Sequence, residues 1–286
     1  KADSYEELAF WVGAHRRQLG EALARVRPRP ARLNRTPRPQ VAGFTPDAKA
    51  AARGAQIVAI VVADPLAVHA VLSQIEDELH EGVTVVQHST IGTADTLAFG
   101  RRVAARGATF IDMPFTGSKI AAEKRDVVFY VGQEGEDDLD AVADAYRPIS
   151  RDMIRIGGVG AATSLKLAMN LIIANTFQAL AEGLALAERA GISREVFFRA
   201  LDQNVGKSGV SELKRAKLFA GDYSPHFAVK HMHKDIRLAL RLAMDLGLVI
   251  PQTESLEETY AIAQEMGFGD EDFSALFKTL EGGEPA

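Results

Sequence analysis

Ile57-Val58-Ala59-Ile60-Val61-Val62-Ala63-Asp64-Pro65 is the stretch on which the fold turns. Its first six residues are apolar, and all but Ala59 are β-branched. Such a run suits a strand buried on both faces. Pro65 to Leu79 then reads as a helix, with Val68, Val71, Leu72 and Ile75 on one side. Further along, Val83-Thr84-Val85-Val86 predicts a second strand and Thr93 to Ala105 a second helix. Thr109-Phe110-Ile111 and Val127-Val128-Phe129-Tyr130-Val131 predict two more strands. Alternation of strand and helix with short links predicts an α/β, doubly wound and mostly parallel sheet. Ligands of such sheets bind outside the carboxyl ends of the strands.

After Gly160 the character changes. Thr163 to Ala190 is rich in Ala and Leu, and Gly183 is its one helix-weakening residue. It predicts one helix of about 28 residues, long for a globular protein. Its apolar residues, among them Leu165, Leu167, Leu171, Ile172, Phe177 and Leu184, extend nearly all round, which predicts burial on most sides. Further helices are predicted over 193–203, 209–219, 231–246, 253–266 and 270–280. The domains are therefore read as residues 1–160, α/β, and residues 161–286, all-α and entered through the long helix.

The chain has 286 residues, 47% hydrophobic and 25% charged, enough to bury a substantial core. A net charge of −5 gives no reason to expect nucleic acid or an anionic membrane as partner. With no cysteine, disulfides, thiolate nucleophiles and cysteine-based zinc sites are excluded. No apolar run approaches the roughly 20 residues that span a bilayer. The opening Lys1-Ala2-Asp3-Ser4-Tyr5-Glu6-Glu7 lacks the order of a signal peptide, so the expected location is cytoplasmic. Residues 15–40 hold eight arginines and four prolines; Pro28 and Pro30 forbid a regular helix there, and the stretch reads as an irregular solvated arginine face, with a polyanion site as the alternative.

Four short motifs carry candidate chemistry. Gly157-Gly158-Val159-Gly160 leads into a helix bearing Lys166 and Asn170, which at i and i+4 share a face. Taken alone, a lysine there would snorkel to water. Asp112-Met113-Pro114-Phe115-Thr116-Gly117-Ser118-Lys119 follows a strand; its backbone N–H groups and hydroxyls can hold a carboxylate, though such residues also form plain turns. His88-Ser89-Thr90 stands at another strand end. Phe227 to Asp235 includes His231 and His233, which diverge on a helix, so no metal site is expected.

Together these motifs resemble the β-hydroxyacid dehydrogenases: a strand-end Ser-Thr, Asp-x-Pro-x-x-Gly-Ser, Gly-x-x-Gly before Lys-x-x-x-Asn, and a late Lys-Asp. The resemblance covers about residues 55–282. Thr116-Gly117-Ser118-Lys119 with Ala122-Glu123, and Gly267-Phe268-Gly269-Asp270-Glu271-Asp272-Phe273-Ser274, are most similar to the glyoxylate/succinic semialdehyde reductase branch. The resemblance implies a Rossmann-like, NADP-binding first domain, with NAD as the other candidate, and a substrate and dimerisation domain after it. It implies an oxidoreductase that reduces a small aldehyde acid with NADPH, assembled as a homodimer or homotetramer. By the same resemblance Lys166 is the catalytic acid and Asn170 its helper. Thr90, Thr116, Gly117, Ser118, Phe227 and Asp235 bind substrate. Gly13, Gly20, Asn34, Arg35, Thr36, Val62, Ala63, Asp64, Thr90 and Lys234 bind cofactor, with Asn34-Arg35-Thr36 on the 2′-phosphate. An arginine suits a phosphate there. Hydride arriving at an aldehyde leaves a developing alkoxide, which an ammonium stabilises and then protonates.

The N-terminus departs from the family. Leu8-Ala9-Phe10-Trp11-Val12-Gly13 matches the expected strand and first glycine, but Gly20 comes seven residues later and the middle glycine is absent. That glycine lets the backbone approach the pyrophosphate. Weak cofactor binding, binding through Arg16 and Arg17, and a scrambled stretch of sequence all fit. A family member acting as a non-catalytic binding or scaffold protein is the alternative reading.

Overall fold

Five parallel strands form the body of the sheet: β1 (Leu8–Val12), β2 (Arg32–Leu33), β3 (Ile57–Val61), β4 (Thr84–Gln87) and β5 (Thr109–Asp112). Their order is β2-β1-β3-β4-β5. The computed structural model describes residues 8–12, 32–33, 47–117, 121–122, 124–135 and 139–281. Gly13, Gly20, Asn34, Arg35, Thr36 and Ser118 lie outside them. After β5 the chain reverses. Strand β6 (Phe115–Thr116) runs antiparallel to β7 (Val127–Gly132), which meets β5 antiparallel, and β8 (Ser150–Gly157) joins β7 in parallel.

The two-sided burial expected of β3 is present. Val58, Ile60 and Val62 enter one core. There they meet Val68, Val71, Leu72 and Ile75 of α2 (Pro65–Ile75), Phe99 and Val103 of α3 (Thr93–Ala104), and α1 (Ala48–Ala52). Ile57, Ala59 and Val61 enter the opposite core with Val86, Ile111, Phe129 and Val131, and with Val142 and Tyr146 of α4 (Leu139–Tyr146). Each buried Val, Leu, Ile or Phe here contributes roughly 1.5–3 kcal/mol by leaving water. This is why a strand between two helical layers reads as an unbroken apolar run.

Strand β8 carries Arg151, Asp152 and Arg155, and its burial alternates irregularly. Lacking a continuous apolar run, it gives no strand signal in the sequence.

The chain falls into two compact units, Lys1–Lys166 and Leu167–Ala286, the division lying inside the long helix α5 (Ala161–Arg189). The second unit is helical: α6 (Arg194–Leu201), α7 (Gly209–Ala220), α8 (Val229–Asp245), α9 (Pro251–Glu265) and α10 (Leu276–Leu280). Phe177, Leu184, Phe198, Leu218, Val229, Ile236, Tyr260 and Phe277 are among its core.

One expectation is corrected. Residues 270–280 are not one helix: two short 3₁₀ turns, Phe268–Asp270 and Phe273–Ala275, precede α10. Here Asp272 bridges Ala228, and its N–H and that of Phe273 donate to Tyr223 and Phe227 carbonyls, so tertiary hydrogen bonds replace helical ones. Helix α5 is buried or half-buried along most of its length, as expected, with Ala168, Ile172, Ala179 and Leu186 among its exposed residues. Among the described residues no helix is long and apolar enough to cross a membrane.

Candidate active site

The strand order reverses between β1 and β3, which lie side by side with β2 beyond β1 and β4 beyond β3. The crevice outside the carboxyl ends of such a pair receives dinucleotides in open α/β sheets. Val62, Ala63 and Asp64 leave β3 at this point. The Val62 N–H donates to the Ser89 hydroxyl (2.8 Å), and the Ser89 N–H is held by the Gln87 side chain, whose amide donates back to the Ser89 carbonyl (3.0 Å). Asp64 caps α2, accepting from the Ala67 N–H at 2.8 Å. The strand ends are thus cross-linked by buried polar groups, and the topology fits a dinucleotide. Thr90 follows β4 and is buried; Thr116 is half-buried in β6, and Gly117 after it is exposed.

His88 is a core residue. Its Nδ1 donates to the Met113 carbonyl (2.6 Å) and its Nε2 accepts from the Tyr146 hydroxyl (2.7 Å), among the rings of Phe115, Phe129 and Tyr146. Burial holds the Tyr146 hydroxyl well above the usual tyrosine pKa, so it stays a donor.

Asp112, at the end of β5, is 0% exposed. Its carboxylate accepts from the Thr163 hydroxyl (2.6 Å), the Thr163 N–H (2.8 Å) and the Gly160 N–H (3.1 Å). It therefore caps the start of α5 from another element. The Thr163 oxygen meets the Thr96 hydroxyl (3.1 Å), and Ser164 meets Thr93 (3.0 Å), tying the same turn to α3. Gly160 makes this packing feasible: its φ is +90°, and a Cβ there would lie 3.3 Å from Leu97 and Thr93. Burial pushes the Asp112 carboxyl up to about 6, against hydrogen bonds from Thr163 and Gly160 that lower it. Because the folded value is raised, this group's stability contribution is fullest below about pH 4 and is lost as pH rises through about 6. Ionised at neutral pH, it costs on the order of 3 kcal/mol.

Lys166 and Asn170 stand on one face of α5; they are 8% and 5% exposed. The Asn170 amide donates to Asp235 Oδ2 at 2.6 Å, and Lys234 donates to Asp235 Oδ1 at 2.7 Å. With its nitrogen given to Asp235, Asn170 offers its carbonyl oxygen to a donor. Phe227, just before α8, is half-buried against the His231 ring. The backbone N–H groups of His226 and Phe227 donate to Asp272 Oδ2 at 2.9 and 3.2 Å. His233 is bound to Glu257 (2.7 Å) and to Gln264. Among the described residues no group of three or more His, Asp or Glu could hold a metal ion. The sequence marks Asp112 and Asp272 only as members of motifs; their anchoring roles depend on residues far along the chain.

Two family models cover most of the chain. One, the NAD binding domain of 6-phosphogluconate dehydrogenase, matches residues 22–157. The other, the NAD-binding domain of NADP-dependent 3-hydroxyisobutyrate dehydrogenase, matches residues 160–280. The fold and the paired matches define an NAD(P)-dependent oxidoreductase class, and the chain belongs to the β-hydroxyacid dehydrogenase family. It is 29% identical over 204 residues to the chloroplastic glyoxylate/succinic semialdehyde reductase 2 of Arabidopsis thaliana, a match spanning 71% of this chain and 56% of that protein. To glyoxylate/succinic semialdehyde reductase 1 of the same plant it is 27% identical, spanning 72% of this chain and 71% of that protein. The 3-hydroxyisobutyrate dehydrogenase of Mycobacterium tuberculosis, solved with L-serine, superposes with a TM-score of 0.86 at 21% identity, over 97% of this chain and 99% of that one.

Proposed function

We propose that the chain reduces a small aldehyde acid, such as glyoxylate or succinic semialdehyde, with NADPH, and that Lys166 is the general acid. The observation that carries this reading is a lysine only 8% exposed, near the start of a helix anchored to the carboxyl end of β5. A lysine that merely snorkels keeps its ammonium in water. NADPH, when bound, supplies hydride to the aldehyde carbon. Lys166 stabilises the developing alkoxide and gives it a proton, and Asn170, fixed by Asp235, orients the ammonium. Thr90, Thr116, Gly117 and Ser118 hold the substrate carboxylate, with Phe227 and Asp235 as further substrate residues. Gly13, Gly20, Val62, Ala63, Asp64 and Lys234 serve the cofactor. The names of the two plant relatives support the substrate class.

Asn34-Arg35-Thr36 follows β2 directly and is assigned to the 2′-phosphate. Arg35→Ala is expected to raise the KM for NADPH at least tenfold, the scale of one lost charge-assisted contact, and to leave that for NADH almost unchanged. Equal effects on both would remove the assignment. The absent middle glycine between Gly13 and Gly20 favours a second reading, a binding or scaffold protein without turnover. Titration of NADPH fluorescence separates the two: no binding at millimolar NADPH supports the scaffold.

The exposed apolar residues Ile172 and Leu186 on α5 support assembly as a homodimer or homotetramer. Sedimentation at micromolar concentration is expected to give a species at least twice the 30.9 kDa chain; Ile172→Glu with Leu186→Glu should dissociate it. A wild-type monomer would overturn this.

A further inference from the structure

We propose that Asp112 is a positioning residue for Lys166: its buried carboxylate fixes the first turn of α5 and so sets where the catalytic ammonium stands. The inference rests on the reading of Lys166 as general acid. Three donors converge on this one side chain at 2.6 to 3.1 Å, all from the turn that precedes Lys166. Asp112 ends β5, whereas Thr163 is 51 residues further on, so the bonds tie the helix to the sheet rather than the helix to itself. With its proton given to Asp112, the Thr163 hydroxyl accepts from Thr96, which extends the anchor to α3. Lys166 follows Thr163 by three residues, less than one turn, so slippage or rotation at the anchor passes directly to it.

The caps of α6 and α7 are Ser193 and Ser208, each local to its own helix. A neutral cap satisfies a helix end at little expense. Asp112 instead keeps a carboxylate where burial works against its ionisation. Its partners are uncharged hydroxyl and backbone groups, and an ionised acceptor binds all three more strongly than a neutral one. Strain and unfavourable burial of this kind are retained where geometry matters to function.

The experiment measures kcat and KM for NADPH and the best aldehyde acid in Asp112→Asn, Thr163→Val and Thr163→Ser, each alone and combined with Lys166→Ala. Asp112→Asn keeps size and one acceptor. It is expected to lower kcat about 10- to 100-fold, the scale of small misplacements of a catalytic group. The KM for NADPH and the melting temperature at pH 8 should stay close to the wild type. Thr163→Val should lose rate in the same sense, and Thr163→Ser, which restores the hydroxyl, should recover most of it. In the Lys166→Ala background neither Asp112→Asn nor Thr163→Val should lower the residual rate further, because residues acting as a unit are not additive. A normal kcat in folded Asp112→Asn, or an equal fractional loss in both backgrounds, overturns the proposal. If Asp112→Asn yields no folded protein, the Thr163 variants decide by the same comparison. Lys166→Ala at the normal rate would instead remove the reading of Lys166 and this inference with it; a slow Lys166→Ala beside a normal Asp112→Asn removes only the inference.

Discussion

Lys166→Ala is expected to lower kcat by roughly 10²–10⁴-fold, the usual cost of removing a positioned general acid. The affinity for NADPH should barely change, because the ammonium acts on charge that develops only as hydride arrives. Lys166→Arg should also fail. Guanidinium holds its proton near neutral pH, and its planar fork does not fit the place of a compact donor. If the lysine only reached for solvent, both variants would keep near wild-type rates, with stability altered by less than about 1 kcal/mol. Glyoxylate, succinic semialdehyde and tartronate semialdehyde should be screened first, and the best of them used for the comparison. Normal turnover by Lys166→Ala would end the proposed mechanism.

The second large effect is on stability. Lys214 and Asp272 form an ion pair at 2.6 Å, with side chains 1% and 0% exposed. The ammonium also lies 3.9 Å from the centre of the Phe273 ring. Asp272 accepts further from the Ser274 hydroxyl (2.7 Å), the Ser274 N–H (3.1 Å) and the N–H groups of His226 and Phe227. Burial alone would raise its carboxyl, but the Lys214 charge and these hydrogen bonds together hold it below the usual carboxylate value. For Lys214, burial outweighs the attraction of Asp272 and lowers its pKa. Both carboxylate oxygens of Asp272 are engaged by donors, Oδ1 by Lys214 and Ser274 and Oδ2 by the His226 and Phe227 N–H groups. Since the folded pKa of Asp272 is depressed, its contribution is present above about pH 4 and is lost as pH falls through the depressed value.

Asp272→Ala leaves the buried Lys214 without its counter-ion and the donors of Ser274, His226 and Phe227 without their acceptor, and breaking such a pair typically destabilises by about 3–5 kcal/mol. Calorimetry is expected to find the helical unit melting on the order of 10 °C lower. Adding Lys214→Met should restore part of the loss, because the orphaned ammonium goes with it while the backbone donors stay unpaired. A single variant that melts with the wild type would mean that the pair contributes nothing.

Much of this protein is legible in its sequence. The run Ile57–Val62 declared a strand buried on both faces because no wet side interrupts its apolar residues. Helix α5 was legible from its length and its freedom from proline. Lys166 and Asn170 share a face by helical spacing alone. In contrast, β8 was not legible, since an edge strand that carries charge has no distinctive period. Residues 270–280 read as one helix because local propensity says nothing of the bonds that Asp272 and Phe273 make to the Tyr223–Ala228 segment.

What the sequence determined by itself is therefore the set of things that neighbours within a few residues control: the alternation of strands and helices, the change to an all-helical half near Gly160, and the motifs that place the chain in its family. Only the tertiary structure decided which side chains complete them. Asp112 meets Thr163 across 51 residues, Asn170 meets Asp235 across 65, and Lys214 meets Asp272 across 58. Periodicity records which face of an element is buried, but not what is buried against it. A buried polar group must find its partner, and which partner it finds is set by the path of the chain.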